Sequence, residues 1–211
     1  LYGAGMGVAF ESVIEILDGF SAGWGFSVGD MGANILGSAT FAAQELAWEE
    51  QRVQFKFSTH KIHYPESMLQ TRANELYGSS LAERILKDYN AQTYWLSANI
   101  WSFNKKSKWP KWLNIAVGYG ADGIYGGFEN VKRNSNHEIE LNPNGQPSFD
   151  RRDIQRTRQF YVAPDIDLSK ITIRGKRPAL LKLLNGVRLK FPTPAFEWNT
   201  RGQFIFHSVY F

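Results

Sequence analysis

The chain has 211 residues, with 24 Lys and Arg against 20 Asp and Glu for a formal charge of +4, and 15% of its side chains are aromatic, including 7 Trp, 9 Tyr and 15 Phe. That length suits one domain, or a small helical unit joined to a β unit. It contains no cysteine and no run of about 18 uninterrupted apolar residues, which excludes a disulfide scaffold, thiol catalysis, thiolate metal sites and a standard transmembrane helix.

From Gly3 to Asp18, the residues Val8, Phe10, Val13, Ile14, Ile16 and Leu17 cover most of a helix circumference, leaving Glu11, Glu15 and Asp18 as a polar stripe. GAGMG at Gly3 to Gly7 lacks the third glycine of a dinucleotide loop and the lysine of a P-loop, and fits close helix packing better. A second helix is expected to open at Ser27, a good N-cap with Asp30 three residues on. It runs through Ala33, Gly37, Ala39 and Ala42 towards Trp48, with Asp30, Asn34 and Glu45 on one narrow arc. Packed as an antiparallel hairpin over residues 1–50, the two stripes form a polar seam of Glu11, Glu15, Asp18, Asp30, Asn34 and Glu45. Clustered carboxylates in apolar surroundings bind a cation, relay protons or act as acid and base. The plainer reading, which we favour, is a structural polar network or the wet edges of two otherwise buried helices.

After Gln51 the period drops to two. In RVQFKFSTH, residues Val53, Phe55 and Phe57 alternate with Gln54, Lys56 and Ser58. A polar segment follows with a short helix near 80–87 (SLAERILK). TYWLSANIWSF then puts Tyr94, Leu96, Ala98 and Ile100 on one face, and WLNIAVGYG does so with Leu113, Ile115, Val117 and Tyr119. Their connection, NKKSKWPK, suits a membrane-interface loop of Trp101, Lys105, Lys106, Lys108, Trp109, Lys111 and Trp112. With Tyr94 and Trp95 the same residues would make a single-stranded nucleic-acid platform, a reading we do not favour. Residues 129–157 read as a long polar loop. QFYVAPDIDL resumes the alternation with Phe160, Val162, Ile166 and Leu168, PALLKLLN is a short helix near 178–185, and AFEWN, TRG and QFIFHSVYF make a closing strand pair.

The chain therefore reads as α+β, an N-terminal helical hairpin followed by an antiparallel β meander that either curls towards a small outer-membrane barrel or remains a water-facing sheet. Asp165 and Asp167 share a strand face, as a hard-cation site or, more simply, a solvent-facing row. His60 and His63 fall on opposite strand faces without a third ligand, and the common hydrolase motifs G-x-S-x-G and H-E-x-x-H are missing. No catalytic residue, metal site, cofactor or small-molecule substrate is identifiable, and nucleic acid is not an expected partner.

The residues E-I-x-D-G (Glu15 to Gly19) followed by G-x-S-x-G-D-x-x-A-N-x-x-G (Gly25 to Gly37) resemble the YfiM-like family of predicted periplasmic or outer-membrane lipoproteins of unknown function. The runs ELAWEEQR, DYNAQTYWLS, WPKWLNIAVGYGADGIYGG and RQFYVAPDIDL resemble the longer Bacteroidota form of that family. The helical part is also distantly similar to VanZ-like membrane proteins. The resemblance implies that Glu15, Asp18, Asp30 and Asn34 are hallmark positions, with an Asp-Lys-x-x-His expected further upstream. It implies a location in the bacterial envelope and leaves the activity unassigned; with the unbroken apolar β-faces and interfacial aromatics, the expectation is a Gram-negative outer-membrane protein, periplasm-facing, with outer-membrane lipid and other envelope proteins as partners. The activity expected is non-catalytic, that of a structural or accessory subunit of a secretion, transport or assembly complex; the rival is an envelope enzyme or cation-binding protein using the seam on glycan or lipid. The chain opens on Leu1, which suggests that an upstream piece, with any signal peptide or lipidation cysteine, precedes it.

Overall fold

The computed structural model describes residues 28–173 and 178–211, and for Asp30 and Lys182 the backbone alone. The chain divides into two compact units, Leu1–Arg52 and Val53–Phe211. In the first unit, helix α1 spans Val28–Trp48. It stops where Glu49 adopts a left-handed backbone (φ 54) while still donating its N–H to the Glu45 carbonyl. Gln44 and Gln51 then fold the exit back on the helix, Gln44 Oε1 accepting from the Arg52 N–H at 3.0 Å and Gln51 Nε2 donating to the Phe41 carbonyl at 3.0 Å. The expected first helix and the Ser27 cap lie outside the described residues.

The second unit is a six-stranded antiparallel meander in sequence order: β1 (Val53–Thr59), β2 (Gln92–Ala98), β3 (Leu113–Asp122), β4 (Thr157–Ile166), β5 (Thr193–Asn199) and β6 (Phe204–Tyr210). Helices α2 (Ser67–Tyr77), α3 (Leu81–Lys87), α4 (Ile100–Phe103) and α5 (Ala179–Gly186) sit in its connections. The α+β class and the six strands are those expected. The α3 start is written in the sequence, because Ser80 and Glu83 form a reciprocal capping box. Three local expectations change. The β2 alternation does not continue to Ile100 and beyond, because the Asn99 side chain accepts from the Ser102 N–H at 2.9 Å and turns the chain into α4. Gly186 closes α5 instead of following it.

The polar loop 129–157 is folded. Three antiparallel bridges tie Val131 to Asp150, Arg133 to Ile139 and Leu141 to Pro147. Two of its reverse turns use one device: Asn134 Oδ1 accepts from the Asn136 and Glu138 N–H groups, and Asn142 Oδ1 from those of Asn144 and Gln146. The third position of each turn is left-handed, filled by His137 (φ 64) in one and Gly145 (φ 74) in the other. Phe149 of this loop and Tyr125, which precedes it, pack with Tyr64, Leu69, Ala73 and Tyr77 to make an aromatic core beside α2.

The alternation of the strands is as read, but the buried face is the one that carries the polar residues, which share it with the small and aromatic cluster of Trp95, Ala116, Tyr161, Ala163, Ala195 and Tyr210. Gln54, Lys56 and Ser58 of β1, Thr93 and Ser97 of β2, Asn114 of β3, Asp165 of β4, and Glu197 and Asn199 of β5 are all buried. Phe55, Tyr94, Leu96, Ile115, Val117, Tyr119, Phe160, Val162, Phe196 and Trp198, on the opposite face, are exposed. The sheet coils around its polar face. In a flat sheet strands three apart lie about 14 Å apart and strands four apart about 19 Å, yet Lys56 of β1 touches Asp165 of β4 at 2.7 Å, and Thr93 of β2 meets the Tyr210 hydroxyl of β6 at 2.9 Å. The coil is not a closed barrel: β1 and β6 do not pair with each other.

Small residues on β3 permit this coiling. Gly118 lies opposite Trp95 on one side and Tyr161 on the other, and the two rings meet over it with centroids 5.7 Å apart. A Cβ on Gly118 would stand 2.7 Å from the Trp95 ring. Trp95 is held by its Nε1–H bond to Ser58 at 2.8 Å and by Tyr210 at 6.1 Å, so it has nowhere to retreat. Gly118→Ala is expected to destabilise the folded protein by about 1–3 kcal/mol, read as a lower denaturant midpoint, whereas Gly127→Ala, with open space around it, should be close to neutral.

Candidate functional site

The polar interior of the coil is the most structured constellation in the second unit. At its centre Asp165 and Lys56 form a completely buried ion pair, Nζ to Oδ2 at 2.7 Å with side-chain exposures of 0% and 1%. Lys56 also donates to the Ile166 carbonyl at 2.8 Å, and Ser97 Oγ donates to Asp165 Oδ2 at 2.6 Å. The network continues through Asn114, which donates to Ser97 Oγ at 2.9 Å and accepts from Asn99 Nδ2 at 2.6 Å. Next to it Gln54 donates to Asp167 Oδ2 at 3.3 Å. Isolated charges do not survive such burial, so the pair and its hydrogen bonds must compensate one another's desolvation. Gln54 Oε1, Asp165 Oδ1 and Arg188 Nη1 are buried there without a protein hydrogen-bond partner.

A second cluster centres on buried Glu197. His207 Nε2 lies 2.8 Å from Glu197 Oε2, while Asn199 and Gln159 donate to Glu197 Oε1 at 2.9 and 3.3 Å. Tyr161 and Tyr210 stack beside it with centroids 4.4 Å apart. An imidazole oriented by a buried carboxylate is half of a general-base arrangement. Among the described residues no serine, threonine or tyrosine hydroxyl bonds His207 to complete a nucleophile, and no group of three His, Cys, Asp or Glu is placed to hold a metal ion.

Lys190 closes the interior from the chain segment before β5. Its Nζ lies 4.4 Å above the Trp95 ring and donates to Thr193 Oγ1 at 2.7 Å. Burial pulls its pKa down to about 8; Asp165 opposes the fall and Lys56 adds to it. Between pH 8 and the ordinary lysine value of about 10.4, the unfolded chain holds this proton more often than the folded one, so the Lys190 contribution to stability rises with pH across that window. Lys190→Met removes the titration. The stability of wild type relative to this variant is expected to climb by about 1–3 kcal/mol from pH 8 to 10, measured as paired denaturation midpoints; an unchanging difference would contradict it.

The sequence-derived sites fare differently. Glu11, Glu15 and Asp18 lie outside the described residues. Asp30, Asn34 and Glu45 all fall on α1, where Asn34 is half-buried and Glu45 is exposed and accepts from Gln51 Nε2 at 3.3 Å. In the interface loop, Lys105, Lys106, Lys108 and Lys111 are exposed. Trp101 lies beneath the Lys111 and Lys170 ammonium groups at 4.8 and 5.6 Å, Trp109 Nε1 donates to the Leu113 carbonyl at 2.6 Å, and Trp112 is exposed. The five-aromatic nucleic-acid platform does not assemble, because Tyr94 faces out and Trp95 is buried inside the coil. Asp165 and Asp167 are not a solvent-facing row: both are fully buried, the first in the ion pair and the second accepting from the Ser169 N–H at 3.0 Å. Lys56, Ser97, Asn114, Lys190, Glu197 and His207 were not singled out as site residues; alternation alone marks those on strands as one face, without saying that it turns inward.

Among the described residues no helix is long and apolar enough to cross a membrane. Comparison with protein-family models, with curated proteins and with solved structures returns no match.

Proposed function

We propose that the protein is a non-catalytic component of the Gram-negative envelope that seats the apolar outer face of its sheet against outer-membrane lipid, as a structural or accessory subunit of an envelope assembly. The observation that carries this reading is the polarity of the sheet: an ion pair and amides inside, beside the one cluster around Trp95 and Tyr161, and a broad band of phenylalanines, valines and tryptophans outside. Water-soluble antiparallel sheets turn their apolar face to a core, and contiguous exposed apolar patches beyond a few hundred Å² mark interaction surfaces. Strands apolar outwards and polar inwards are the pattern of lipid-facing β structure. The Trp-Lys loop between β2 and β3 supplies the amphipathic side chains that settle at headgroup level, and the resemblance to YfiM-like envelope proteins points to the same compartment.

The test is extraction of the full-length protein from its native membranes. It should stay with the membrane fraction through high salt and alkaline carbonate and come off in mild detergent together with its partner proteins. Recovery in the soluble fraction without detergent would overturn the proposal.

A further inference from the structure

We infer that β6 pairs edge to edge with β6 of a second copy of this chain, so that two six-stranded sheets become one continuous antiparallel sheet; the inference rests on the lipid-facing reading above. The two edges of the sheet are unequal. The β1 edge is capped at one point, where the Phe57 N–H donates to the Arg188 carbonyl at 2.9 Å and the Lys190 N–H to the Phe57 carbonyl at 2.8 Å. Among the described residues β6 pairs with β5 alone, and its other edge is bare. Proteins that leave an edge in water blunt it with lysine, proline or charge. Phe204 to Tyr210 (FIFHSVY) contains none of these, and its imidazole, His207, is turned to Glu197 inside the coil.

Lipid makes the bare edge untenable, since unpaired strand N–H and C=O groups do not occur in the hydrocarbon region. The six strands of the described residues are also fewer than the eight of the smallest closed membrane barrels. The strand that covers β6 must be uncharged and must continue the apolar band of Phe196, Trp198, Phe204 and Phe206. Among the described residues the strand with a free edge and that composition is β6 itself. A two-fold β6–β6 contact is self-complementary, and it leaves the β1 edges, each capped at Phe57 by the 188–190 segment, at the two outer ends.

Because the chain has no cysteine, a single Ser208→Cys provides the only thiol. In vesicles or mild detergent, oxidation should give a disulfide-linked species of twice the mass, and Phe55→Cys on β1 should give none. Ser208→Lys and Ser208→Asp should each be monomeric by repulsion across the two-fold and still fractionate with membranes, and co-expressing the two should restore a mixed dimer. A Ser208→Cys protein that stays monomeric in the membrane, cross-links to a different protein, or dimerises equally well as Ser208→Lys would overturn the inference. Failure of the lipid-facing reading has a separate signature, recovery of every variant in the soluble fraction.

Discussion

Asp165→Ala is expected to cost about 3–5 kcal/mol of stability, enough to deplete the folded protein. The substitution leaves Lys56 Nζ, 1% exposed, with the Ile166 carbonyl and no carboxylate, and takes from Ser97 Oγ the acceptor it holds at 2.6 Å. Most of the penalty is the cost of an uncompensated buried ammonium, not the worth of the pair itself. Adding Lys56→Met should therefore recover most of the loss, since a buried pair replaced by apolar side chains of similar size is often neutral. Denaturant unfolding of the two variants in detergent checks this. If the double variant is no more stable than Asp165→Ala, the ion pair is not what organises the interior.

Val117→Arg and Val162→Arg are expected to have an effect that depends on the surroundings. The two valines face each other across β3 and β4 and point outwards, half exposed. On a water-facing surface such changes fall within about 0.5 kcal/mol. Against lipid, an arginine near the bilayer midplane costs about 2–4 kcal/mol. Each variant should thus lose membrane-bound protein while keeping its stability in detergent, and Lys108→Gln, in the exposed loop, should change neither. Equal stability and equal membrane recovery for wild type and both arginine variants would place that face in water.

What the sequence made legible was the β architecture and little of what lies inside it. Period-two runs such as QFKFS and NIAVGYG place the strands, and the Ser80–Glu83 box places α3. Helix α2 carries no such signal: its N-cap residue, Glu66, makes no side-chain cap bond, and the segment is held by the aromatic core around Tyr64 and Tyr125. Alternation is symmetric under exchange of inside and outside, so Gln54, Lys56 and Ser58 look the same whether they meet water or a polar interior. The decision is made at long range, by Asp165 reaching Lys56 and by Gly118 clearing space for Trp95. The polar residues of the opening helices were the most conspicuous chemistry in the sequence; three of them lie outside the described residues, while the best-organised polar network lies in the sheet, in residues whose spacing matches no motif.

The central claim, that the apolar face of the sheet meets lipid, is tested most directly by nitroxide labels at single cysteines introduced at Val117, Val162 and Lys108 in this cysteine-free chain. In vesicles, the account predicts that the labels at 117 and 162 are accessible to dissolved oxygen and shielded from a water-soluble nickel chelate, with the reverse at 108. Labels at 117 and 162 open to the chelate, or shielded from both, would mean that water or protein covers this face, and would contradict the account.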